Sequence, residues 1–364
     1  KLRLENKIRT FVQAKIVSIL INVGLNLIIL LVLKPMHEQG TGPEFLKNVY
    51  RPEVGAGYIF LANLIGNASL FYWLKAEFKV FKWTWDWPEL RSLWVYAYPI
   101  MFMSLAAMFN LMFDRLLLEE FLPESFYPGR SSQDALGIYG NCYKLSVFMS
   151  LAIQAFKYSA EPFFLGKKAE ANDQSNLALV THWFIIIGTF LWVGVSVNLF
   201  WIKTLFLRRE IYWEGIGIVP ILLLANLFLG VYYTQSVWFK KTNKTYMGTI
   251  ITLIGLVTTV AGNIIFIPQY GYMACAWSFL ASSLVMMILC YLGGQKFDPI
   301  PYRWKAGLFY IVLGYLCIVI GNKIQDYIDL PNIIRENIGV FILLLFVVVF
   351  EFSWKGGGKF KLKH

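Results

Sequence analysis

Apolar residues in this chain come in blocks about 20 residues long, the length a helix needs to cross a ~30 Å hydrocarbon core. Short polar stretches separate the blocks. Ten segments fit this description: 11–33, 56–74, 91–118, 137–165, 178–202, 215–238, 246–267, 271–293, 306–322 and 337–353. The pattern predicts an all-α polytopic membrane protein with ten transmembrane helices. The longest connections, near 34–55 and 119–136, are too short for a folded domain outside the membrane.

Composition agrees with the pattern. Of the 364 residues, 57% are hydrophobic and only 15% charged, against about 25% in soluble domains. The net charge of +11 would raise nucleic acid as a partner in a soluble protein, but here the positive-inside rule has first claim on it. Of the 33 Lys and Arg, 20 fall on the side of both termini, 9 on the other side and 4 within spans. That asymmetry predicts both termini in the cytoplasm and supports an even number of spans. The four Trp between Phe81 and Trp94 surround a proline just before the third span, as an interfacial aromatic belt does. The terminal stretch WKGGGKFKLKH has no strand before its glycines and no Ser or Thr after the Lys. It is not a phosphate-binding loop, and its charge suits an anionic leaflet. No nucleotide-binding motif occurs, so ATP hydrolysis in this chain is not expected to drive any transport.

Cys142, Cys275, Cys290 and Cys317 sit in or beside apolar runs without metal or disulfide spacing, and core packing is expected of them. His37, His182 and His364 form no metal pattern. No metal and no cofactor are expected. As a catalytic base for a membrane acyltransferase, only His182 is even a remote candidate.

Ionisable residues within spans are costly, about 2.5–3.5 kcal/mol each on insertion scales, so each is a functional candidate. Asp114 and Arg115 lie toward the outer end of the third span, and Lys144 at similar depth in the fourth. Asn110 and Asn141 lie one turn before Asp114 and Lys144. An antiparallel hairpin of these two spans would let Asp114 face Lys144 across a shared polar patch. Deeper in the fourth span, Gln154, Lys157, Tyr158 and Glu161 follow the i, i+3, i+4, i+7 pattern of a single helical face. Pro162 follows and is expected to bend the helix there. Lys15 is close enough to the inner end of the first span to snorkel.

Two explanations compete for this cluster. Asp114 with Lys144, and Lys157 with Glu161, would lock helices together as ion pairs. Buried pairs are often replaceable by apolar residues without loss, however, so stability is a weak reason to keep them. Arg115 is also left over. Three cations against two carboxylates favour a hydrated cavity with an anionic ligand, phosphate first among them. Elsewhere, Asn22 with Asn26 and Asn63 with Asn67 are expected to bond between helices. Tyr232, Tyr233 and Gln235 are groups able to hydrogen-bond sugars.

Two stretches carry a resemblance. FDRLLLEEF, followed by LGIYGNCYKLSVFMSLAIQAFKYSAEPFF, resembles the seventh and eighth helices of polysaccharide-unit (Wzx-type, O-antigen) flippases of the MATE-like MOP superfamily. YYTQSVWFKKTNKTYMGTIITLIGLVTTVAGNIIFIPQYGYMACAWSFLASS resembles that family's tenth to twelfth helices, with Asn263, Ile267, Pro268 and Gly271 as punctuation. The family has fourteen helices, two six-helix lobes facing each other across a central cavity and a further pair. The resemblance implies that the ten spans correspond to helices five to fourteen, so that roughly four precede them, in keeping with an opening on Lys1 rather than Met. It assigns 1–80 to the last two helices of the N-terminal lobe, 81–295 to a six-helix C-terminal lobe, and 296–364 to two appended helices and a basic cytoplasmic tail.

The resemblance also implies an activity: translocation of oligosaccharide units linked to polyprenyl pyrophosphate, from the cytoplasmic to the outer leaflet of the bacterial inner membrane, by alternating access, for surface polysaccharide or lipopolysaccharide synthesis. The implied partners are that lipid-linked oligosaccharide, membrane lipids and other polysaccharide-assembly proteins. Under this reading Arg115, Lys144, Lys157, Asn110, Asn141 and Gln154 line the substrate cavity. Asp114 and Glu161 serve as counterions or couple transport to protons or sodium. A multidrug exporter of the same superfamily is the rival, but it would be expected to have an acidic cavity. A membrane polysaccharide polymerase or ligase would need a large outer loop.

Overall fold

The computed structural model describes residues 8–40, 50–79, 85–165, 173–324 and 332–353. Over its described residues each of the ten expected segments is mainly helical, with short breaks at Leu145–Ser146, Asn198 and Ser236, and no strand occurs among the described residues. Among the described residues seven helices are long and apolar enough to cross a membrane, and Asn337–Glu351 is a shorter apolar helix. The protein is an all-α polytopic membrane protein. It divides into two compact units, Lys1–Trp87 and Pro88–His364.

The first unit pairs α1 (Ile8–Leu27) with α2 (Gly57–Lys79). Lipid tails are as apolar as leucine, so helices in a membrane associate through close packing and hydrogen bonds rather than through hydrophobicity. Gly66 provides the close approach. A Cβ there would stand 2.9 Å from the Ser18 carbonyl oxygen, and the Ser18 hydroxyl donates to the Gly66 carbonyl at 2.7 Å. The asparagine pairs do not bond between helices as expected. Asn26 donates to Asn22 at 2.8 Å and Asn67 to Asn63 at 2.7 Å, each within its own helix. At four-residue spacing the amides already meet along one helix face, so each satisfies the other locally.

In the second unit, α3 spans Trp87–Phe121, α4 Ser132–Lys144, α5 Val147–Leu165 and α6 Asp173–Val197. Then come α7 (Val219–Gln235), α8 (Thr245–Tyr270), α9 (Tyr272–Phe297), α10 (Trp304–Ile324) and α11 (Asn332–Val347). Helix α7 is buried on nearly every side, as a helix that is apolar all round must be. It packs against α5, α6 and α9, while α10 and α11 pack on α6. Helices α8 and α9 form a tight hairpin through Gly271, whose φ of 56° and ψ of −139° suit only glycine. A Cβ at that position would collide with Tyr127 and Phe126.

The fourth expected span is not one helix. A Ser131–Asp134 capping box starts α4, and these hydrogen bonds from Ser131 hold the Asp134 carboxyl below its ordinary value. The helix then breaks at Leu145 and Ser146. Their N–H groups bond back to Cys142 and Tyr143 at 3.0 and 2.9 Å, and the Ser146 hydroxyl caps the Tyr143 carbonyl at 2.7 Å. Helix α5 continues through Pro162 to Leu165. The interruption lies beside Lys144, nearly five turns from Pro162, where a bend was expected.

Candidate functional site

The candidate residues fall into a buried polar seam between α3, α8 and α9, and a row of cations on α3, α4 and α5. The seam begins at Asn110, which is 3% exposed. Its side-chain oxygen accepts from the Thr259 hydroxyl, and its nitrogen donates to Ser282 Oγ at 3.2 Å. Ser282 in turn donates to the Gly255 carbonyl at 2.7 Å. One helical turn further along α3 is Asp114, 1% exposed. One turn along α8 from Thr259 is Asn263, and one turn back along α9 from Ser282 is Ser278. The register of the three helices puts these residues in a second polar layer. Both polar side-chain atoms of Asn263 and the hydroxyl of Ser278 are buried without a hydrogen-bond partner.

Asp114 does not face Lys144. Its carboxylate accepts from the Tyr139 hydroxyl on α4 and, at 2.8 Å, from the backbone N–H of Arg115. The expectation matched the two residues by depth alone. Within α4, however, Tyr139 is buried and Lys144, five residues on, is exposed. The face that meets α3 therefore carries the phenol and not the amine. Lys144 Nζ donates to Asn141 Oδ1 at 3.0 Å, and the Asn141 amide donates to the Gly137 carbonyl at 2.8 Å.

The other two cations rest on aromatic rings. The Arg115 guanidinium lies 4.8 Å from the Tyr143 ring centre, its Nη1 is 3.5 Å from the Met112 sulfur, and its Nε has no partner. Lys157 Nζ lies 3.4 Å from the Tyr233 ring centre. A cation over a tyrosine face gains about 0.5–2 kcal/mol, depending on its desolvation. Arg115 and Lys144 have no carboxylate within ion-pair distance among the described residues. Gln154 is exposed on α5, and Lys157, three residues on, is half-buried beside the buried Ile153 and Phe156. The Glu161 side chain lies outside the described residues, and so does its expected pairing with Lys157.

Sequence reasoning missed Thr259, Asn263, Ser278 and Ser282. Their signal was present as polar residues four apart on two adjacent helices. It also missed a buried hydrogen bond: His182 Nε2 meets Glu351 Oε1 at 2.8 Å, and the Tyr310 hydroxyl donates to the same oxygen at 3.1 Å. Among the described residues no group of three or more His, Cys, Asp or Glu is placed to hold a metal ion.

No protein-family model and no curated protein matches the chain. Among solved structures it is similar to "Lipid II flippase MurJ, inward closed conformation", with a TM-score of 0.56 and 17% sequence identity. The match covers 82% of this chain and 62% of that one, so the chain spans under two thirds of the flippase's length. At this identity the likeness is one of fold.

Proposed function

We propose that this chain belongs to a flippase for lipid-linked precursors, and that its cargo is an oligosaccharide unit carried on polyprenyl pyrophosphate, moved from the cytoplasmic to the outer leaflet of the bacterial inner membrane by alternating access. The observation that carries the reading is the pair Arg115 and Lys144, one cation in the membrane-type helix α3 and one at the end of α4 in the expected fourth span, with no carboxylate partner among the described residues. Charge at such depth is retained where it meets an opposite charge that comes and goes. A pyrophosphate group is such a partner, and planar guanidinium is the side chain best matched to phosphate oxygens. The fold shared with a lipid II flippase supports the same class of cargo.

In this proposal Arg115, Lys144 and Lys157 attract the pyrophosphate. Tyr143 and Tyr233 position two of these cations by their ring faces. Asn141 and Gln154 serve the sugar hydroxyls. Asp114, with Asn110 in the adjoining layer, is the proposed coupling group for protons or sodium, and Glu161 a counterion for Lys157. The test is single neutralisation, Arg115→Gln and Lys144→Gln, in the natural full-length protein in its own cell. The proposal expects loss of surface polysaccharide at unchanged protein level. Normal polysaccharide at normal protein level in both variants would overturn it.

A further inference from the structure

A cavity of about 640 Å³ lies between α6, α7, α9 and α10, away from the row of cations described above. Its volume is within the ~300–1,000 Å³ of ordinary ligand sites. Most of its wall is apolar, and two of its lining residues, Ile288 on α9 and Leu308 on α10, are 43% and 55% exposed. In a membrane helix such side chains meet lipid, so the cavity opens sideways into the bilayer between α9 and α10.

Four buried polar atoms in its wall have no hydrogen-bond partner: Thr181 Oγ1, His182 Nδ1, Gln235 Oε1 and the Tyr302 hydroxyl. Thr181, His182 and Gln235 are 3%, 2% and 5% exposed. An unmet buried polar group is costly, so four around one space indicate an occupant with polar groups of its own. Arg303 and Trp304 also line the cavity, and both are exposed. Arg303 lies at the end of the bundle where α7 and α9 finish and α8 and α10 begin. Lys240, Lys241, Lys244, Lys296 and Lys305 lie at that same end. Basic residues clustered at one end of a bundle attract anionic lipid headgroups.

We propose that the cavity binds one anionic glycerophospholipid of the phosphatidylglycerol type. Its phosphate is held by Arg303, its ester carbonyls accept from the Thr181 and Tyr302 hydroxyls, and its glycerol hydroxyls find acceptors in Gln235 Oε1 and His182 Nδ1. One acyl chain lies in the apolar part beside Ile288, Leu308 and Ile311. The occupant is a structural lipid rather than cargo, and the site stands whether or not the chain moves lipid-linked sugars.

The test is photolabelling of the chain in lipid nanodiscs with phosphatidylglycerol carrying a diazirine on one acyl chain, followed by peptide mapping. The proposal expects labelling concentrated in 284–291 and 304–311. Excess unlabelled phosphatidylglycerol should suppress it, and phosphatidylcholine should not. Ile288→Trp fills the mouth at a position already facing lipid and should cut the labelling at least fivefold. Tyr302→Phe, which removes one oxygen and leaves the packing, should cut it at least twofold and serves as the measure if Ile288→Trp does not fold. Labelling spread evenly over lipid-facing helices and unchanged in both variants would overturn the proposal. So would equal competition by phosphatidylcholine, or preferential competition by a polyprenyl phosphate.

Discussion

Tyr139→Phe removes one oxygen atom from the protein, yet that oxygen is one of the two donors to the buried Asp114 carboxylate. The ring stays and the packing with it, since Tyr139 is fully buried among apolar neighbours. What changes is the environment of Asp114 Oδ2. Hydrogen bonds between membrane helices average about 0.6 kcal/mol by double-mutant cycles and reach about 1.7 kcal/mol. Bonds to charged acceptors run to about 1.5–3 kcal/mol in proteins generally. Asp114 is 1% exposed and burial strengthens a hydrogen bond, so the bond belongs at the top of the membrane range, about 1.5 kcal/mol. The assay is a double-mutant cycle of Tyr139→Phe and Asp114→Asn, read by reversible denaturation in detergent micelles. A coupling of about 1–2 kcal/mol is expected. Additivity within about 0.3 kcal/mol would refute the claim that the phenol, rather than Lys144, is the working partner of Asp114.

His182→Leu and Glu351→Leu should each lower the thermal-unfolding temperature, because each leaves the other group buried without its 2.8 Å partner; the double variant should be more stable than either single one. Gly271→Ala should destabilise by about 1–3 kcal/mol in the same denaturation assay, because alanine must adopt a glycine-only conformation. The Asp134 carboxyl is held below its ordinary value by Ser131. Its contribution is present above the unfolded-state value and is lost as pH falls through the lower folded-state value. Ser131→Ala should therefore lower stability at neutral pH and flatten the acid side of a stability-against-pH curve, the difference from the unmodified protein closing as pH falls below the folded-state value.

The helices were legible because lipid imposes a blunt rule: every backbone polar group must be satisfied within its own segment. Ten apolar blocks become helices for that reason, and the four free cysteines are buried among them as expected. What failed was whatever depended on rotation about a helix axis. Matching Asp114 to Lys144 needed the azimuth of Tyr139, which depth does not give. The break after Lys144 carries no Gly or Pro. It rests on a serine hydroxyl turned back to a carbonyl, a bond that many serines in continuous helices also make. His182 and Glu351 are 169 positions apart, beyond any local pattern. The seam was half legible: Thr259 and Asn263 are one turn apart, as are Ser278 and Ser282, but only the hairpin through Gly271 sets the two pairs face to face.

The most direct test of the account is translocation itself. The natural full-length protein is reconstituted into liposomes with a fluorescent polyprenyl-pyrophosphate oligosaccharide, and a membrane-impermeant quencher reports the fraction exposed on each side over time. The account expects Arg115→Gln and Lys144→Gln each to slow exchange at least tenfold, while a fluorescent phospholipid on the same liposomes is unaffected. Exchange at the unmodified rate in both variants, or no exchange by the unmodified protein itself, would contradict it.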